Sequence, residues 1–356
     1  MKRSMYFEDL TLDKLTNIVK EWGKPAFNSK NLYRWFYKRS VRDYSLMSDV
    51  SKELREKLSL QYIPYSLKLI ETENSKDGCV KFLFELQDKE TIESVLIPKE
   101  DRLTLCVSTQ VGCKMGCTFC CTAKQGLSRS LACSEIVAQI QFTNTYARDV
   151  LKKAVDDGGY RAVTNIVFMG MGEPLDNMDN VIDAITVISD DNGLAFGLRK
   201  ITVSTCGLVP KIFEFRDRCN AKLAISLNAI TDDVRDKIMP VNKAYPIKEL
   251  LKVIKSVGSR KQDFVTIEYI LFGGLNDSKQ DAVSLSKLLK GLNVKVNLIP
   301  FNFNPMTPEL VSPTDKSIYD FYEVLVEKGI VCNVRHSRGI DINAACGQLK
   351  SKKKGI

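Results

Sequence analysis

Three cysteines, Cys113, Cys117 and Cys120, lie within eight residues in the arrangement Cys-x3-Cys-x2-Cys. Thiolates are soft ligands that select iron–sulfur clusters, zinc or copper. Structural zinc usually takes four protein ligands, and the adjacent Cys121 is poorly placed to share one tetrahedral ion with Cys120. Three thiolates on a cubane cluster leave one iron open for a small molecule. The spacing therefore favours a [4Fe–4S] cluster, with a zinc site completed by Cys121 or a distant cysteine as the alternative.

The cysteine and histidine counts narrow the chemistry further. The 356 residues include 11 cysteines, an odd number, and the first residues show no export signal. Metal binding or thiol chemistry is therefore favoured over a disulfide scaffold. The single histidine, His336, argues against a catalytic zinc held by several histidines. It also argues against a Ser-His-Asp triad, unless His336 supplies the base.

Composition and charge restrict the class of protein. Hydrophobic residues make up 44% and charged residues 27% of the chain, which is typical of a globular protein with a core. No apolar run approaches the roughly 20 residues needed to span a bilayer. We therefore expect a cytoplasmic protein with no membrane association. The net charge of +9 favours a polyanionic partner, although solubility alone accounts for it equally well.

A basic and aromatic stretch near the N-terminus indicates one such partner. No acidic residue occurs from 28 to 42. Basic groups neutralise phosphates and exposed rings stack on bases, as looped RNA requires. The alternative is an amphipathic helix with a solvated basic face, and the sequence leaves both open. The stretch contains Lys30, Arg34, Lys38, Arg39 and Arg42, interleaved with Tyr33, Trp35, Phe36 and Tyr37.

The elements that must position the cysteines follow from hydrophobic periodicity. The first segment, to about Tyr65, is predicted to be helical, with strands at 66–69, 80–86 and 91–97 after it. From about Leu103 strands alternate with helices, which favours a parallel sheet or barrel because parallel strands need crossover connections. Functional groups in such folds lie at the C-terminal ends of the strands. The predicted strands are 103–108, 165–169, 200–204, 222–227, 265–271 and 294–299; the predicted helices are 134–145, 179–188, 247–256 and 281–289; a last helix–strand unit covers 315–327 and 330–334.

A glycine-rich segment follows the second of these strands. Gly170, Gly172 and Glu173 lie in the sequence Met-Gly-Met-Gly-Glu-Pro. Glycines after a strand let the backbone approach a ligand, and a carboxylate there can pair with an ammonium group. Taken alone, the segment is equally consistent with an ordinary turn.

The cysteine triplet and this glycine-rich segment together resemble the radical S-adenosylmethionine (SAM) superfamily. Four further stretches resemble the RlmN/Cfr family within it, whose members are bacterial methyltransferases acting on an adenine of large-subunit ribosomal RNA. The resemblance extends through nearly the whole chain. These stretches are Cys106–Cys113, 122–126, 238–243 and 344–349.

The resemblance implies an α/β fold, a partial (β/α)6 barrel with a small N-terminal accessory domain of helices and strands. The implied divisions are an RNA-contacting accessory domain with a β-extension at 1–98, a barrel at 99–335, and a C-terminal segment at 336–356. That segment ends in the basic tail 350–354.

Residue roles also follow from the resemblance, at the matching positions. Cys113, Cys117 and Cys120 would hold the [4Fe–4S] cluster, whose open iron chelates SAM. Two SAM molecules would be consumed: one methylates Cys346, and the other yields a 5′-deoxyadenosyl radical that takes hydrogen from the S-methyl group. Cys106 would resolve the RNA adduct by forming a disulfide with Cys346, and Glu93 would act as the base. The implied SAM contacts are Gly172, Glu173, Ser204, Ser226, Leu227, Asn228 and Asn302.

The sequence departs from the family pattern at three positions. Asn228 stands where many relatives have histidine, which puts its side-chain role in question. Asn343 stands where aspartate is frequent, and Cys121 where serine or alanine is common. The five cysteines without a matching role are interpreted as structural thiols: Cys79, Cys133, Cys206, Cys219 and Cys332. No role is assigned to His336.

The resemblance favours methylation at C2 of an adenine in 23S rRNA, with C8 methylation of the same adenine as the alternative. It also implies activity on the adenine beside the anticodon of transfer RNAs, a flavodoxin-type electron donor, and a monomeric enzyme. Two other classes stay open. One is a zinc-stabilised RNA-binding protein without catalysis, and the other is a radical enzyme acting on a small molecule.

Overall fold

The computed structural model describes residues 5–155, 160–259, 264–303 and 306–350. Most of the predicted basic tail lies outside these ranges. The helices are α1 (Leu12–Glu21), α2 (Phe27–Tyr33), α3 (Lys52–Gln61), α4 (Cys121–Lys124), α5 (Cys133–Asp149), α6 (Met178–Ser189), α7 (Val209–Arg218), α8 (Asp232–Ile238), α9 (Ile247–Val257), α10 (Lys279–Leu289) and α11 (Asp315–Glu327). The strands are β1 (Met5–Tyr6), β2 (Tyr62–Ile63), β3 (Lys68–Asn74), β4 (Val80–Glu85), β5 (Thr91–Lys99), β6 (Arg102–Cys106), β7 (Gln110–Gly112), β8 (Leu127–Ser130), β9 (Asn165–Phe168), β10 (Ile201–Thr205), β11 (Lys222–Ser226), β12 (Val265–Leu271), β13 (Val294–Pro300) and β14 (Cys332–Val334).

One sheet organises the molecule, with strand order β14-β13-β12-β11-β10-β9-β6-β5-β4-β3. The strands from β6 through β9 to β14 pair in parallel. Helices lie between them in sequence, as parallel connections require. The strands β3 and β14 form the two edges, so the sheet is an open, partial barrel. This confirms the predicted α/β fold class.

The predicted barrel strands are confirmed, with boundaries within two residues of those expected. Each of these strands has buried apolar residues at its centre, which is typical of strands in a covered parallel sheet. The sequence analysis missed α7 and α8. Helix α8 is short, and five of its seven residues are charged. Helix α7 buries only Ile212 and Phe215, so its apolar periodicity is weak.

The strands β3, β4 and β5 continue the barrel sheet in antiparallel order beyond β6. They carry the predicted β-extension, and β5 pairs directly with β6, the strand that precedes the cysteine triplet. Strand β3 spans Lys68–Asn74, later than the predicted 66–69. It pairs along the whole of the antiparallel β4, from Lys68 opposite Glu85 to Asn74 opposite Val80. The β-extension therefore lies beside the predicted site.

The N-terminal helices have their own aromatic core. The rings of Tyr33, Phe36 and Tyr37 are at most 2% exposed and pack around Phe7. The prediction that these three rings stack on RNA bases is therefore wrong, since they fill the core under α2. Trp35 is half-buried and lies against the guanidinium of Arg39, 4.0 Å from its ring centroid.

This N-terminal part packs on α5. The Glu8 carboxylate is fully buried and pairs with Arg42 at 3.0 Å. Arg42 also donates to Gln141 on α5 at 3.0 Å, and Ser134 donates its backbone N–H to Asp9. These polar contacts fix the accessory helices to the barrel.

Among the described residues, no helix is long and apolar enough to cross a membrane.

Candidate active site at the ends of the parallel strands

The three-cysteine loop is closed at its base by a short hairpin. After β6 the chain forms β7, which pairs with β8 on the far side of the loop. The Cys113 N–H donates to the Gly126 carbonyl at 2.9 Å. A Cβ on Gly112 would lie 1.8 Å from that carbonyl oxygen, so only glycine fits there. The loop also contacts the end of α8, because the Thr118 N–H donates to the Ile238 carbonyl at 3.0 Å.

The three thiols share one low-dielectric region. Burial is the main factor that raises the pKa values of Cys113, Cys117 and Cys120. The pKa values of Cys113 and Cys117 are also raised by neighbouring thiols of the triplet. Metal binding must therefore displace their protons. All three are free thiols, so this donor set fits an iron–sulfur cluster. Over the described residues, no three Cys, His, Asp or Glu side chains are grouped to hold a single metal ion. The choice between an iron–sulfur cluster and zinc therefore stays a prediction.

Glu173 lies in a cradle of backbone donors. Its Oε1 accepts from the Leu175 N–H at 3.0 Å, and its Oε2 from the Cys206 N–H at 2.8 Å. Burial raises the pKa of this carboxyl, while these hydrogen bonds lower it. Gly172 precedes it at φ +98°, and a Cβ there would lie 2.5 Å from the Gln110 side chain. The glycine is therefore required for the strand-to-loop turn that presents Glu173.

The other expected SAM contacts lie at neighbouring strand ends. Ser204 is in β10, and Ser226 ends β11, followed by the buried Leu227. Asn302 follows β13, and its side chain donates to Ser337 at 2.5 Å in the C-terminal segment. These positions are adjacent because β10 to β13 are parallel neighbours. Their roles as SAM contacts stay predictions.

The Asn228 side chain contacts other residues of the protein through both its oxygen and its nitrogen. Its Oδ1 accepts from the Ile270 N–H at 2.9 Å, and its Nδ2 contacts the Met239 sulfur at 3.2 Å. Its carbonyl accepts from Asn276, and its φ is +56°, a conformation that asparagine tolerates. The amide side chain therefore links the end of β11 to β12. Asparagine, which stands here in place of the family's frequent histidine, thus has a structural role.

Arg235 is a residue that the sequence analysis missed. It is fully buried on α8 and donates to the carbonyls of Leu227, Cys206 and Ser226 at 2.7–3.0 Å. It thus ties together the ends of β10 and β11, where the cofactor contacts are expected. One charged residue among the several in this short helix gave no signal in the sequence. Cys206, interpreted as structural, also belongs to this region, since Glu173 and Cys117 are among the groups that raise its pKa after burial.

The C-terminal segment places Cys346 beside the cysteine loop. The Gly347 carbonyl accepts from the Cys121 N–H at 2.7 Å, and the Leu349 carbonyl accepts from the Thr122 hydroxyl at 2.6 Å. Cys346 is accessible to solvent, yet surrounding protein raises its pKa, through burial above all. An accessible side chain that is densely surrounded lines a recess rather than the outer surface.

Cys106, the predicted resolving thiol, is buried at the end of β6. Burial is the largest factor that raises its pKa, and the charge of Cys346 is the next. Both are free, as are all the cysteines of the described residues, so the disulfide that the resemblance implies is not formed in this structure. The predicted carrier and resolving thiols are therefore both unbridged, and their pairing stays a prediction.

Glu93 is buried on β5 and contacts both the C-terminal segment and the residues that follow β6. Its Oε2 accepts from the Lys350 N–H at 2.9 Å, and its Oε1 is 3.6 Å from the Lys81 ammonium. Its carbonyl accepts from Ser108, between Cys106 and the cysteine loop. His336, to which no role was assigned, is exposed.

Comparisons with known proteins agree with this arrangement. The sequence model of the Radical SAM superfamily matches residues 107–285, and that of the ribosomal RNA large subunit methyltransferase N-terminal domain matches residues 7–63. A protein of Syntrophotalea carbinolica named dual-specificity RNA methyltransferase RlmN is 46% identical over 97% of this chain and 89% of its own length. This chain belongs to the RlmN family.

A second relative and a solved structure extend the similarity. A Staphylococcus aureus protein named as a probable dual-specificity RNA methyltransferase RlmN is 40% identical over the full chain and 94% of its own length. The crystal structure of a radical SAM methyltransferase from Sphaerobacter thermophilus superposes with a TM-score of 0.88 at 39% identity. It covers 97% of this chain and 99% of that one. The RlmN N-terminal model ends at residue 63, before β3, and Cys346 lies beyond the superfamily match.

Proposed function

We propose that this RlmN-family protein is an RNA methyltransferase that methylates C2 of an adenine in 23S rRNA and of the adenine beside the anticodon in transfer RNAs. The observation that carries the proposal is the contact between the Cys346 turn and the cysteine loop, in which the Gly347 carbonyl accepts from the Cys121 N–H at 2.7 Å. A reaction that needs a thiol close to a cluster accounts for this placement. The names of the relatives support RNA as the substrate.

The chemical difficulty is that C2 of adenine is electron-poor and does not attack a methyl sulfonium. When bound, the [4Fe–4S] cluster supplies and later takes back one electron, and its SAM ligand supplies a 5′-deoxyadenosyl radical. Cys346 first gives up its proton, and its thiolate attacks the methyl carbon of one SAM; the new bond to the Cys346 sulfur forms as the carbon–sulfur bond of SAM breaks, and S-adenosylhomocysteine leaves. A hydrogen atom then passes from the S-methyl group to the radical, giving 5′-deoxyadenosine. The remaining carbon radical on Cys346 adds to C2 and links protein to RNA.

Release of the RNA requires a base and a second thiol. After the adduct has lost one electron, Glu93 removes the proton from C2. The Cys106 thiolate attacks the Cys346 sulfur, so that an S–S bond forms and the bond from sulfur to the transferred carbon breaks. That carbon takes a proton and becomes the methyl group. A dithiol reductant then reduces the Cys106–Cys346 disulfide for the next turnover.

The accessory helices offer a surface for the RNA backbone. Phe27, Lys30 and Arg34 are exposed and lie at helical spacing on α2 and its continuation. Arg39 is exposed beside Trp35, whereas Arg42 is occupied by Glu8 and Gln141. Such cations neutralise phosphates without reading sequence. The target adenine must leave its stack to reach the recess at Cys346.

The remaining parts of the proposal concern partners and setting. We propose a flavodoxin-type protein as electron donor, because the cluster must be reduced before it can cleave SAM. The enzyme is proposed to act as a monomer in the cytoplasm, where both RNA substrates and a reducing thiol pool occur.

Anaerobic turnover tests the proposal. The cluster-loaded protein is incubated with SAM, a reductant and unmodified large-subunit RNA, and nucleosides are identified by mass spectrometry. We expect 2-methyladenosine from the wild type and from Cys332→Ala, a control at a buried cysteine on β14. We expect none from Cys346→Ala.

Other outcomes overturn specific parts of the proposal. Formation of 8-methyladenosine would replace C2 by C8 chemistry. Absence of any methylated adenosine from protein with intact iron and sulfide would reject RNA as the substrate and favour a small molecule. Zinc in place of iron would favour a non-catalytic RNA-binding protein.

A further inference from the structure

Lys81 is a buried lysine that the proposed reaction does not use. It lies on β4 and is only 5% exposed. On the sheet it is directly opposite Glu73 on β3, and diagonally across from Glu93 on β5. Directly opposite and diagonal neighbours share one face of a sheet. The ammonium is 3.1 Å from Glu73 and 3.6 Å from Glu93.

The same ammonium reaches the C-terminal segment. Lys81 donates to the Ile342 carbonyl at 2.6 Å, four residues before Cys346. Glu93 accepts from the Lys350 N–H at 2.9 Å, four residues after Cys346. The pair of Lys81 and Glu93 therefore holds the backbone on both sides of the carrier turn.

The turn between β3 and β4 holds the beginning of the segment as well. Asp341 accepts from the Ser75 hydroxyl at 2.6 Å and from the Lys76 N–H at 3.1 Å. Asp77 accepts from the Gly339 N–H at 2.9 Å. Burial raises the pKa of Asp77, but its hydrogen bonds, first among them that from Gly339, lower it below its ordinary value. The β3–β4 turn thus binds residues 339–341 through two carboxylates, that of Asp77 in the turn and that of Asp341 in the segment. Both have lowered pKa values and are charged at neutral pH.

We propose that Lys81 is a positioning residue that docks the segment carrying Cys346 onto strand β4 and holds it in register with Glu93. This inference rests on the proposed function for the roles of Cys346 and Glu93. Both groups must meet the same adenine ring, one delivering carbon to C2 and the other removing its proton. Lys81 touches the carboxylate of one and the backbone leading to the other. A buried lysine is costly unless it is paired, and here its partners are Glu73, Glu93 and the Ile342 carbonyl of the segment that carries Cys346.

The test compares Lys81→Met, Lys81→Arg and the control Lys68→Met. Lys68 makes the same kind of strand-to-strand ion pair, 3.1 Å from Glu85, but on the exposed part of β3. Hydrogen exchange of the amides in 342–350 is measured first, without RNA or SAM. We expect at least tenfold faster exchange in Lys81→Met, near wild-type exchange in Lys81→Arg, and no change in Lys68→Met.

Kinetics with RNA form the second measurement. We expect kcat of Lys81→Met to fall at least tenfold with KM for RNA unchanged, and Lys81→Arg to recover most of kcat. Wild-type exchange in 342–350 together with wild-type kcat in Lys81→Met would overturn the inference. A lower melting temperature with exchange and kcat unchanged would also overturn it, because it would show a purely structural role.

Two further experiments cover a variant that fails to fold and separate this inference from the proposed function. If Lys81→Met does not fold, Asp341→Ala replaces it, since that exposed carboxylate docks the same segment through the β3–β4 turn. We expect faster exchange in 342–350 there too, and unchanged exchange would overturn the docking role. Mass spectrometry of Cys346 after incubation of the wild type with SAM separates the two proposals. An unmethylated Cys346 would reject the proposed function while leaving the exchange result to decide the role of Lys81.

Discussion

At the scale of single residues, Glu173 shows how the fold prepares a charged group for a cationic ligand. Its carboxylate is 4% exposed, and burial alone favours the neutral acid. Backbone N–H groups of Leu175 and Cys206 each donate to one oxygen, which favours the ionised form. The two oxygens are thereby oriented at the edge of the sheet where the amino group of SAM is expected. Asn228, by contrast, has a side chain already engaged with β12 and Met239.

Replacing Glu173 by glutamine tests this residue. The amide keeps the shape but loses the charge, and a hydrogen bond to a charged group contributes about 1.5–3 kcal/mol. We expect roughly tenfold to hundredfold weaker SAM binding to Glu173→Gln, measured by equilibrium dialysis with the cluster content verified. The exposed Glu214→Gln on α7 serves as the control. Equal affinity in Glu173→Gln and wild type would remove Glu173 from the SAM site.

At the scale of elements, two buried charged residues join parts of the chain. Arg235 on α8 binds the carbonyls that end β10 and β11. Glu8, next to α1, pairs with Arg42 and accepts from the Tyr65 N–H, and so connects the first residues to the end of the helical part. Burial raises the pKa of Glu8 to about 7, since it outweighs the favourable charge of Arg42. Arg42 is partly exposed, so water screens that charge.

The raised pKa of Glu8 predicts a pH dependence of stability. The native state binds its proton more tightly than the unfolded state, whose value is near 4.5. The contribution to stability is therefore complete below about pH 4.5 and is lost as pH rises towards 7. We expect the unfolding free energy of wild type, relative to Glu8→Gln, to fall by about 2–3 kcal/mol between pH 4.5 and 8. Denaturant unfolding checks this, with the exposed Glu56→Gln as control; a pH-independent difference would contradict it.

At the scale of the whole molecule, three parts of the chain meet at one recess. The barrel supplies the cysteine loop and the strand ends, the β-extension supplies Glu93, and the C-terminal segment supplies Cys346. The accessory helices are fixed to α5 and carry exposed basic groups. A net charge of +9 on such a frame attracts a polyanion from a distance. The proposed function assigns RNA capture and thiol chemistry to these parts of a single chain.

The sequence predicted those parts that leave a local pattern. Apolar runs between helices indicated the strands of the barrel, and the spacing of Cys113 to Cys120 indicated a cluster. Contacts between distant segments leave no such pattern, which is why Arg235 and Lys81 were not found. The prediction that the aromatic rings around Phe36 stack on RNA was wrong for a related reason. Rings at helical spacing look the same whether they face a core or an RNA, and here tertiary packing buries them.

The measurement that tests the central claim most directly is the route of the methyl group. Cys346 is first methylated with SAM bearing a fully deuterated methyl group, excess SAM is removed, and a single turnover is started with unlabelled SAM and RNA. The account predicts 2-methyladenosine that retains two deuterium atoms in its methyl group, with the third in 5′-deoxyadenosine, because Cys346 carries the carbon as a covalent intermediate. A product methyl group without deuterium would show that the carbon comes directly from the second SAM and would contradict the role of Cys346.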